Sequence, residues 1–129
     1  MARLYHYSMR IRKLHNCPEF IAGDHSRLRE IVHPDRDYLF DARYSLAHAT
    51  VDPGRRTDRH RLTSDELYYI VSGTGVMHVD DESSPVEPGD AVEIPPHVVQ
   101  WIENTGAEPL VFLCIVDPAW RAQDEEILP

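Results

Sequence analysis

The chain has 129 residues, and its 13 basic and 22 acidic side chains give a formal net charge of −9. Hydrophobic residues make up 42% and charged residues 27%, the composition of an ordinary globular domain, which excludes a disordered chain. A chain of this length builds one core, so we expect one domain. The acidic balance argues against nucleic acid or an anionic membrane as partner.

The sequence carries no sign of membrane insertion or secretion. Its longest apolar run, residues 110–116, is far shorter than a membrane-spanning helix requires. No apolar segment with a small-residue cleavage site follows Met1, so we expect a cytoplasmic protein. The two cysteines, Cys17 and Cys114, cannot form a disulfide framework.

The first 27 residues predict an N-terminal arm. No carboxylate precedes Glu19, and the order of such a segment depends on docking against the rest of the domain or a neighbour. Residues 28–117 are the predicted barrel. Residues 118–129, with three consecutive acids at 124–126, predict a tail or a short helix.

Short segments rich in Val, Ile and Tyr follow the arm, and Gly and Pro fall between them. Such spacing, without helical periodicity, predicts antiparallel strands in an all-β sandwich or barrel. The predicted strands are residues 28–32, 43–51, 66–71, 76–79, 91–94, 98–103 and 110–116. The sequence Ser72-Gly73-Thr74-Gly75 predicts a hairpin, because Gly adopts the positive φ that tight reversals require.

Two motifs occur in order within these strands. The first runs from Gly54 to Gly73 and contains His60, Leu62 and Glu66. The second runs from Gly89 to Asn104 and contains Gln100. Together they resemble the two motifs of the cupin family, particularly the small single-domain cupins described as mannose-6-phosphate isomerase-like. The resemblance implies a single jelly-roll barrel, also called a double-stranded β-helix, of two antiparallel sheets with a site inside.

The resemblance also implies a metal site, but this chain departs from its pattern. The family's ligands are two His and a Glu from the first motif and one His from the second; these positions hold His60, Leu62, Glu66 and Gln100 here. Leu62 donates nothing and Gln100 offers only an amide oxygen, a weak ligand for Zn, Ni, Mn or Fe. We therefore expect weak or partial metal occupancy, or none.

A third strong donor must come from elsewhere if a metal is held tightly. His48, on the preceding strand, is the best candidate, although the sequence does not decide which face of that strand points inward. We expect Leu62 to form an apolar wall. Tyr68 and Tyr69 are expected to be mostly core residues with one of their hydroxyls facing the cavity, and Tyr68 is the candidate ligand-binding residue. A buried, hydrogen-bonded His60–Glu66 pair without metal is the alternative. His78 is expected to be an exposed strand residue. His97 stands where the family usually has Gly, and if φ is positive there, its role is purely conformational.

Three classes of function fit these residues. The first is an enzyme, a cupin-type isomerase or oxygenase, that acts on a small polar metabolite such as a sugar phosphate or carboxylic acid, with His60 or Glu66 as acid or base. The second is a non-catalytic binding or sensor module that uses the same residues. The third is a structural homo-oligomer with a vestigial cavity, which an apolar, filled barrel interior would support.

The predicted assembly is a homodimer. Trp101 and Val99 should share the outward face of one strand, and an outward apolar pair favours a partner surface. The N-terminal arm is a candidate to cross to that partner.

Overall fold

The computed structural model describes residues 8–129, which form eleven strands and two short 3-10 turns. The turns are Leu14–Asn16 and Ala122–Asp124. The strands are β1 (Glu19–Ile21), β2 (Arg27–Val32), β3 (Ser45–Val51), β4 (His60–Leu62), β5 (Asp65–Ser72), β6 (Gly75–Val79), β7 (Glu82–Val86), β8 (Ala91–Ile94), β9 (Gln100–Asn104), β10 (Leu110–Asp117) and β11 (Glu125–Ile127).

The strands form two antiparallel sheets that face each other. The six-stranded sheet has the order β1-β2-β3-β10-β5-β8, and the five-stranded sheet has the order β11-β4-β9-β6-β7. The predicted all-β jelly-roll barrel is confirmed, and each of the seven predicted segments contains a strand. No helix among residues 8–129 is long and apolar enough to cross a membrane.

The core lies between the sheets, where alternate residues of each strand point inward. On β10 the inward residues are Leu110, Phe112, Cys114 and Val116, all buried. The ring of Tyr68 packs on that of Phe112 with centroids 4.5 Å apart. Ile102 enters from the facing sheet and is completely buried. The period-two pattern of the sequence therefore fixes which side chains reach the interior.

The predicted hairpin at Ser72–Gly75 is wrong. β5 ends at Ser72 and β6 begins at Gly75, but β5 pairs with β10 and β8, whereas β6 pairs with β7 and β9. The link crosses between sheets instead of reversing within one. Gly73 has φ of +82°, and a Cβ there would meet the backbone of Pro109. The glycine serves a tight crossing, and local turn chemistry does not distinguish this from a hairpin.

A true hairpin joins β6 to β7 through Asp80 and Asp81. Val79 pairs with Glu82 across this two-residue loop, and Asp80 has φ of 52°, which Asp tolerates better than most residues. The sequence pattern did not predict β7 because it is polar and contains Pro85. β7 lies at the edge of its sheet, where proline is permitted.

Both terminal regions contribute strands that extend the sheets. β1 pairs with β2 at one edge of the larger sheet, and β11 pairs with β4 at one edge of the smaller sheet. These strands lie outside the predicted 28–117 barrel, whose exact limits remain a prediction. Residues 1–7 of the predicted arm lie outside the described residues.

Candidate functional site

A cavity of about 350 Å³ lies between the two sheets. Its lining combines aromatic rings from Tyr68, Phe112 and Trp120 with polar groups that include His60 and Glu66. Cavities of this size, largely apolar with a few polar groups, are typical of small-molecule sites. The interior is therefore not the filled, apolar barrel that a purely structural cupin would have.

His60 is the most buried polar group of the cavity lining, with 2% of its surface exposed. Its Nδ1 lies 2.7 Å from the carbonyl oxygen of Asp58. Because a carbonyl only accepts hydrogen bonds, Nδ1 carries the proton, and Nε2 of the neutral ring is left as an acceptor. Nε2 lies 3.8 Å from Asp24 Oδ2, beyond hydrogen-bond distance. Among residues 8–129, Nε2 has no hydrogen-bond partner.

Glu66 reaches the cavity from β5 in the opposite sheet. Its Oε1 accepts a hydrogen bond of 2.5 Å from Gln100 Nε2. Burial raises the pKa of Glu66 to about 7, although the Gln100 hydrogen bond and His60 act to lower it. Near neutral pH the carboxyl therefore exists in both protonation states, as a proton-transfer group requires.

Gln100 contacts Glu66 without lining the cavity. It lies on β9, directly opposite His60 on β4, and is 1% exposed. Its Nε2 is committed to Glu66, and its Oε1 is buried without a partner in the described part of the chain. The structure thus brings His60, Glu66 and Gln100 together across the two sheets, with Gln100 behind Glu66.

Two further protonated groups line the cavity. Burial raises the pKa of the Tyr68 hydroxyl well above its ordinary value, and the neighbouring Glu66 raises it further. Burial likewise raises the pKa of the Cys114 thiol. Tyr68 therefore remains a hydrogen-bond donor, and its hydroxyl has no partner among the described residues. Cys114 remains an unreactive thiol.

Two predicted site residues lie elsewhere. His48 is on the outward face of β3, because its neighbours Ala47 and Ala49 line the cavity and strand residues alternate. Burial lowers the pKa of His48, and nearby Arg29 lowers it further. Leu62 is buried on the same face of β4 as His60 but does not line the cavity. The expected third donor and the expected apolar wall are thus both absent from the cavity lining.

Three cavity residues that the sequence did not identify come from the ends of the chain. Asp24 lies in the loop between β1 and β2, Trp120 follows β10, and Glu125 begins β11. Trp120 Nε1 donates a long hydrogen bond of 3.5 Å to Glu125 Oε2. These residues lie outside both motifs and belong to no recognisable spacing, so the sequence contained no signal for them.

Backbone contacts hold these terminal residues against the barrel. The Asp24 carbonyl accepts a hydrogen bond from the Asp58 amide, and Asp24 Oδ1 accepts two from Ser26. Asp58 is the residue whose carbonyl orients His60. At the other end, the Trp120 amide donates to Ser45 Oγ. Asp24 is therefore positioned by the same short segment that sets the His60 tautomer.

The donor set does not fit the metal site of the family. His60 and Glu66 are the strong donors at the motif positions, Leu62 replaces a histidine, and the Gln100 amide nitrogen faces Glu66. No group of three or more His, Cys, Asp or Glu side chains among residues 8–129 is arranged to hold a metal ion. The chemistry of the site is therefore derived below from the side chains alone.

Two further histidines, His78 and His97, have different surroundings. His97 has a positive φ of 71°, which meets the condition for a conformational role, and its amide donates to the carbonyl of Leu62. His78 was expected to be simply exposed, but it stacks on Trp101 with centroids 4.3 Å apart and bonds Glu103. Both lie away from the cavity.

Comparison with known proteins identifies the family. The cupin domain model Cupin_2 matches residues 47–116, more than half of the chain. The chain therefore belongs to this family, and the resemblance carried by the two motifs is confirmed.

Relatives of the chain have varied descriptions. The uncharacterized protein MJ1618 of Methanocaldococcus jannaschii is 41% identical over 110 residues, which are 84% of this chain and 86% of that protein. An oxalate-binding protein of Thermotoga maritima is 32% identical over 72 residues, which are 55% of this chain and 60% of that protein. A glucose-6-phosphate isomerase of Thermococcus gammatolerans is 42% identical over 55 residues, 39% of this chain but only 29% of the isomerase.

Solved structures agree on the fold. A Cupin 2 conserved barrel domain protein from Salinispora arenicola superposes with a TM-score of 0.73, covering 91% of this chain and 92% of that one at 20% identity. At this identity the likeness extends to the barrel alone. Together the relatives establish a small cupin with a ligand site, and they do not identify its substrate.

Proposed function

We propose that the barrel cavity is an acid–base site that binds and converts a small polar metabolite. The observation that carries this proposal is the pairing of two groups in one cavity: the free Nε2 acceptor of His60 and the Glu66 carboxyl, whose pKa is about 7. An imidazole nitrogen that can accept a proton and a carboxyl that can donate one are the groups that acid–base catalysis uses. Burial of both groups in a largely apolar cavity strengthens their interactions with a ligand.

The reaction class that suits this pair is isomerisation next to a carbonyl. His60 Nε2 takes the proton from the carbon beside the carbonyl, and protonated Glu66 gives its proton to the carbonyl oxygen. The former carbonyl carbon then receives a proton, and the hydroxyl on the carbon that was deprotonated loses one. The carbonyl has thereby moved to the adjacent carbon. Every proton removed is restored, so the step requires no oxidant or reductant.

Other residues support this chemistry by position. Gln100 holds Glu66 through a 2.5 Å hydrogen bond, and so fixes one carboxyl oxygen while the other remains available. The Tyr68 hydroxyl is a protonated donor suited to a ligand oxygen. Asp58 holds the His60 ring in the required tautomer through its carbonyl. Gln100 and Asp58 are positioning residues in this scheme.

We propose that this chemistry proceeds without a tightly held metal. One histidine and one carboxylate from the motifs leave Zn, Ni, Mn or Fe short of strong ligands. Elemental analysis of untagged protein, dialysed against a chelator, should give well under one metal ion per chain. Stoichiometric metal that survives dialysis would contradict this part of the proposal.

Turnover by matched variants tests the catalytic assignment. The full chain is assayed against a panel of small aldoses, ketoses and hydroxy-carbonyl compounds by NMR, which also detects exchange of the carbon-bound proton with solvent deuterium. His60→Gln and Glu66→Gln should each reduce turnover at least about a hundredfold, as expected for loss of an acid or base. His48→Gln, on the outer face of β3, should retain full activity.

The same assay separates the enzyme from a sensor module. A compound that binds with dependence on His60 but shows neither turnover nor exchange would overturn the catalytic part of the proposal. Equal turnover by His60→Gln and the unaltered protein would overturn the site itself.

We also propose that the chain forms a homodimer, but through a different surface from the one expected. Trp101 does face outward, yet His78 stacks on it and the Arg59 guanidinium lies 5.3 Å from its ring centroid. Exposed apolar residues instead cluster on the outer face of the larger sheet, where Tyr69, Val71 and Ile115 are each at least 36% exposed. Such a face favours a partner of like character.

Light scattering tests this assembly. Ile115→Lys should convert a dimer to a monomer at micromolar concentration, while Glu82→Lys, on an exposed strand of the other sheet, should not. A monomeric mass for the unaltered chain would exclude the dimer.

A further inference from the structure

Carboxyl groups outnumber basic side chains in the cavity lining, where the basic residues are Arg36 and His60. Asp24, Glu66 and Glu125 all border it. Glu30 and Arg36 also do, but they neutralise each other in an ion pair of 2.6 Å. Of the other three carboxyl groups, Asp24 lies nearest a basic side chain, with its Oδ2 3.8 Å from His60 Nε2.

Asp24 and Glu125 lie close together on the side supplied by the chain ends. Gly23, next to Asp24, is packed against the Glu125 carboxylate, so that a Cβ at Gly23 would lie 2.7 Å from Glu125 Oε1. The negative charge of Asp24 also contributes to a raised pKa at Glu125, after burial as the main cause. Asp24 Oδ2 accepts no hydrogen bond from the described residues.

A second, independent feature marks this place as a ligand site. The His60 side chain borders the cavity and is only 2% exposed. Its Nε2 has no hydrogen-bond partner among residues 8–129. The Tyr68 hydroxyl is likewise unpartnered. Polar groups that border a cavity without a hydrogen-bond partner are available to a polar ligand.

We propose that the cavity selects a small molecule that carries a protonated amine, and that the ammonium group lies between the carboxylates of Asp24 and Glu125. This inference rests on the proposed function, because it names the substrate class of the same cavity. Buried carboxylates are costly unless opposite charge and hydrogen-bond donors compensate them, and an ammonium group supplies both.

The remaining lining suits the rest of such a molecule. The rings of Tyr68, Phe112 and Trp120 offer apolar surface, and aromatic faces also attract cations. His60 and Glu66 stay free for proton transfer, since the ammonium is held by the two acids from the chain ends. Anions such as oxalate or a sugar phosphate would meet the carboxylates of Asp24 and Glu125 and be repelled.

Three size-matched probes of different charge test the selection. Benzylamine (as its ammonium), benzyl alcohol and benzoate are titrated separately into the full-length chain by calorimetry at pH 7.5. Benzylammonium should bind at millimolar concentration or better, benzyl alcohol more weakly, and benzoate at least about a hundredfold more weakly than benzylammonium.

Isosteric variants assign the preference to particular acids. Asp24→Asn and Glu125→Gln should each weaken benzylammonium binding about tenfold, in line with loss of one charge-assisted hydrogen bond. Glu126→Gln is the matched control, because Glu126 is the next residue on β11 and pairs outside the cavity with Arg61. Melting temperatures confirm that each variant is folded.

The outcomes separate this inference from the proposed function. Benzoate binding as tight as benzylammonium binding, and lost in His60→Gln, would overturn the charge selection while leaving the cavity as the site. Failure of benzylammonium to bind at millimolar concentration would also overturn the selection. If a probe binds with the same affinity to the unaltered chain and to His60→Gln, Asp24→Asn and Glu125→Gln, the ligand lies elsewhere. That result would overturn both proposals.

Discussion

Two regions of the molecule meet at the cavity and differ in how they are built. The motif strands β4, β5 and β9 carry His60, Glu66 and Gln100 within paired sheets, and all three residues are at least nine-tenths buried. The terminal segments, residues 19–26 and 118–127, carry Asp24, Trp120 and Glu125 on loops and three-residue strands. The proposed proton-transfer groups thus lie on strands within the two sheets, and the proposed selecting groups lie near the chain ends.

This division has a physical basis. A residue on a central strand is held by hydrogen bonds on both sides and by core packing, so its side chain has little freedom to move. A residue on a short edge strand is held by fewer contacts and can change without loss of the core. Substitutions in the terminal segments can therefore change the cavity lining without loss of the barrel.

The largest expected contrast is in stability. Ile102→Ala removes a completely buried side chain from β9 and should lower the free energy of unfolding by about 2–5 kcal/mol. Ile127→Ala makes the same change on β11, where the side chain is 42% exposed, and should cost about 0.5 kcal/mol or less. Urea denaturation of both variants measures the difference, and equal losses would show that β11 belongs to the core.

The second contrast concerns the dependence of stability on pH. The folded-state pKa of Glu66 is about 7, above its unfolded value of 4.5, so the folded protein binds more protons between these values and stability falls as pH rises through them. The shift corresponds to about 3 kcal/mol. Glu66→Gln should remove this loss, so the variant should be more stable than the unaltered protein at pH 8.

Denaturation at pH 4 and pH 8 provides the measurement. Glu93→Gln is the matched control because Glu93 lies on the neighbouring strand β8 and is exposed, and it should leave the pH profile unchanged. A Glu66→Gln variant that is less stable than the unaltered protein at pH 8 would show that the carboxylate is stabilised by a group outside the described residues.

A smaller effect is expected where the terminal segments touch. Gly23→Ala places a methyl group against the flexible end of Glu125, which can move aside at little cost in stability. The displaced carboxylate should weaken benzylammonium binding by about threefold, a fraction of one hydrogen bond. Gly106→Ala, whose Cβ would meet the flexible Thr74 side chain at 2.8 Å, is a matched control outside the cavity. Equal calorimetric affinities for the two variants would contradict the placement of the ammonium beside Glu125.

The smallest effect is expected at the surface ion pair between Arg61 on β4 and Glu126 on β11. Both side chains are about half exposed, so water and salt screen their attraction. Arg61→Ala should change the free energy of unfolding by about 0.5 kcal/mol or less, and the change should diminish at high salt. A loss of several kcal/mol would show that the attachment of β11 is essential to the fold.

Local patterns were sufficient for the strands that are flanked by turns and buried on one side. The period-two alternation around Phe112 and Tyr68 is a property of the backbone, so it could be recognised without a partner strand. β7 was missed because Pro85 and polar residues are tolerated only at an edge, and edge position is a property of the assembled sheet. The crossing at Gly73 was mistaken for a hairpin because both connections require the same positive φ.

For the candidate site, the sequence by itself determined the barrel, the motif positions of His60, Glu66 and Gln100, and the loss of a donor at Leu62. Only the tertiary structure decided that His48 points away from the cavity and that Asp24, Trp120 and Glu125 border it. The physical reason is the separation of these residues along the chain. Motif spacing reports on residues joined by a few peptide units, whereas Asp24 and Glu125 are about a hundred residues apart in the chain and meet only because β1 and β11 add to the edges of two facing sheets.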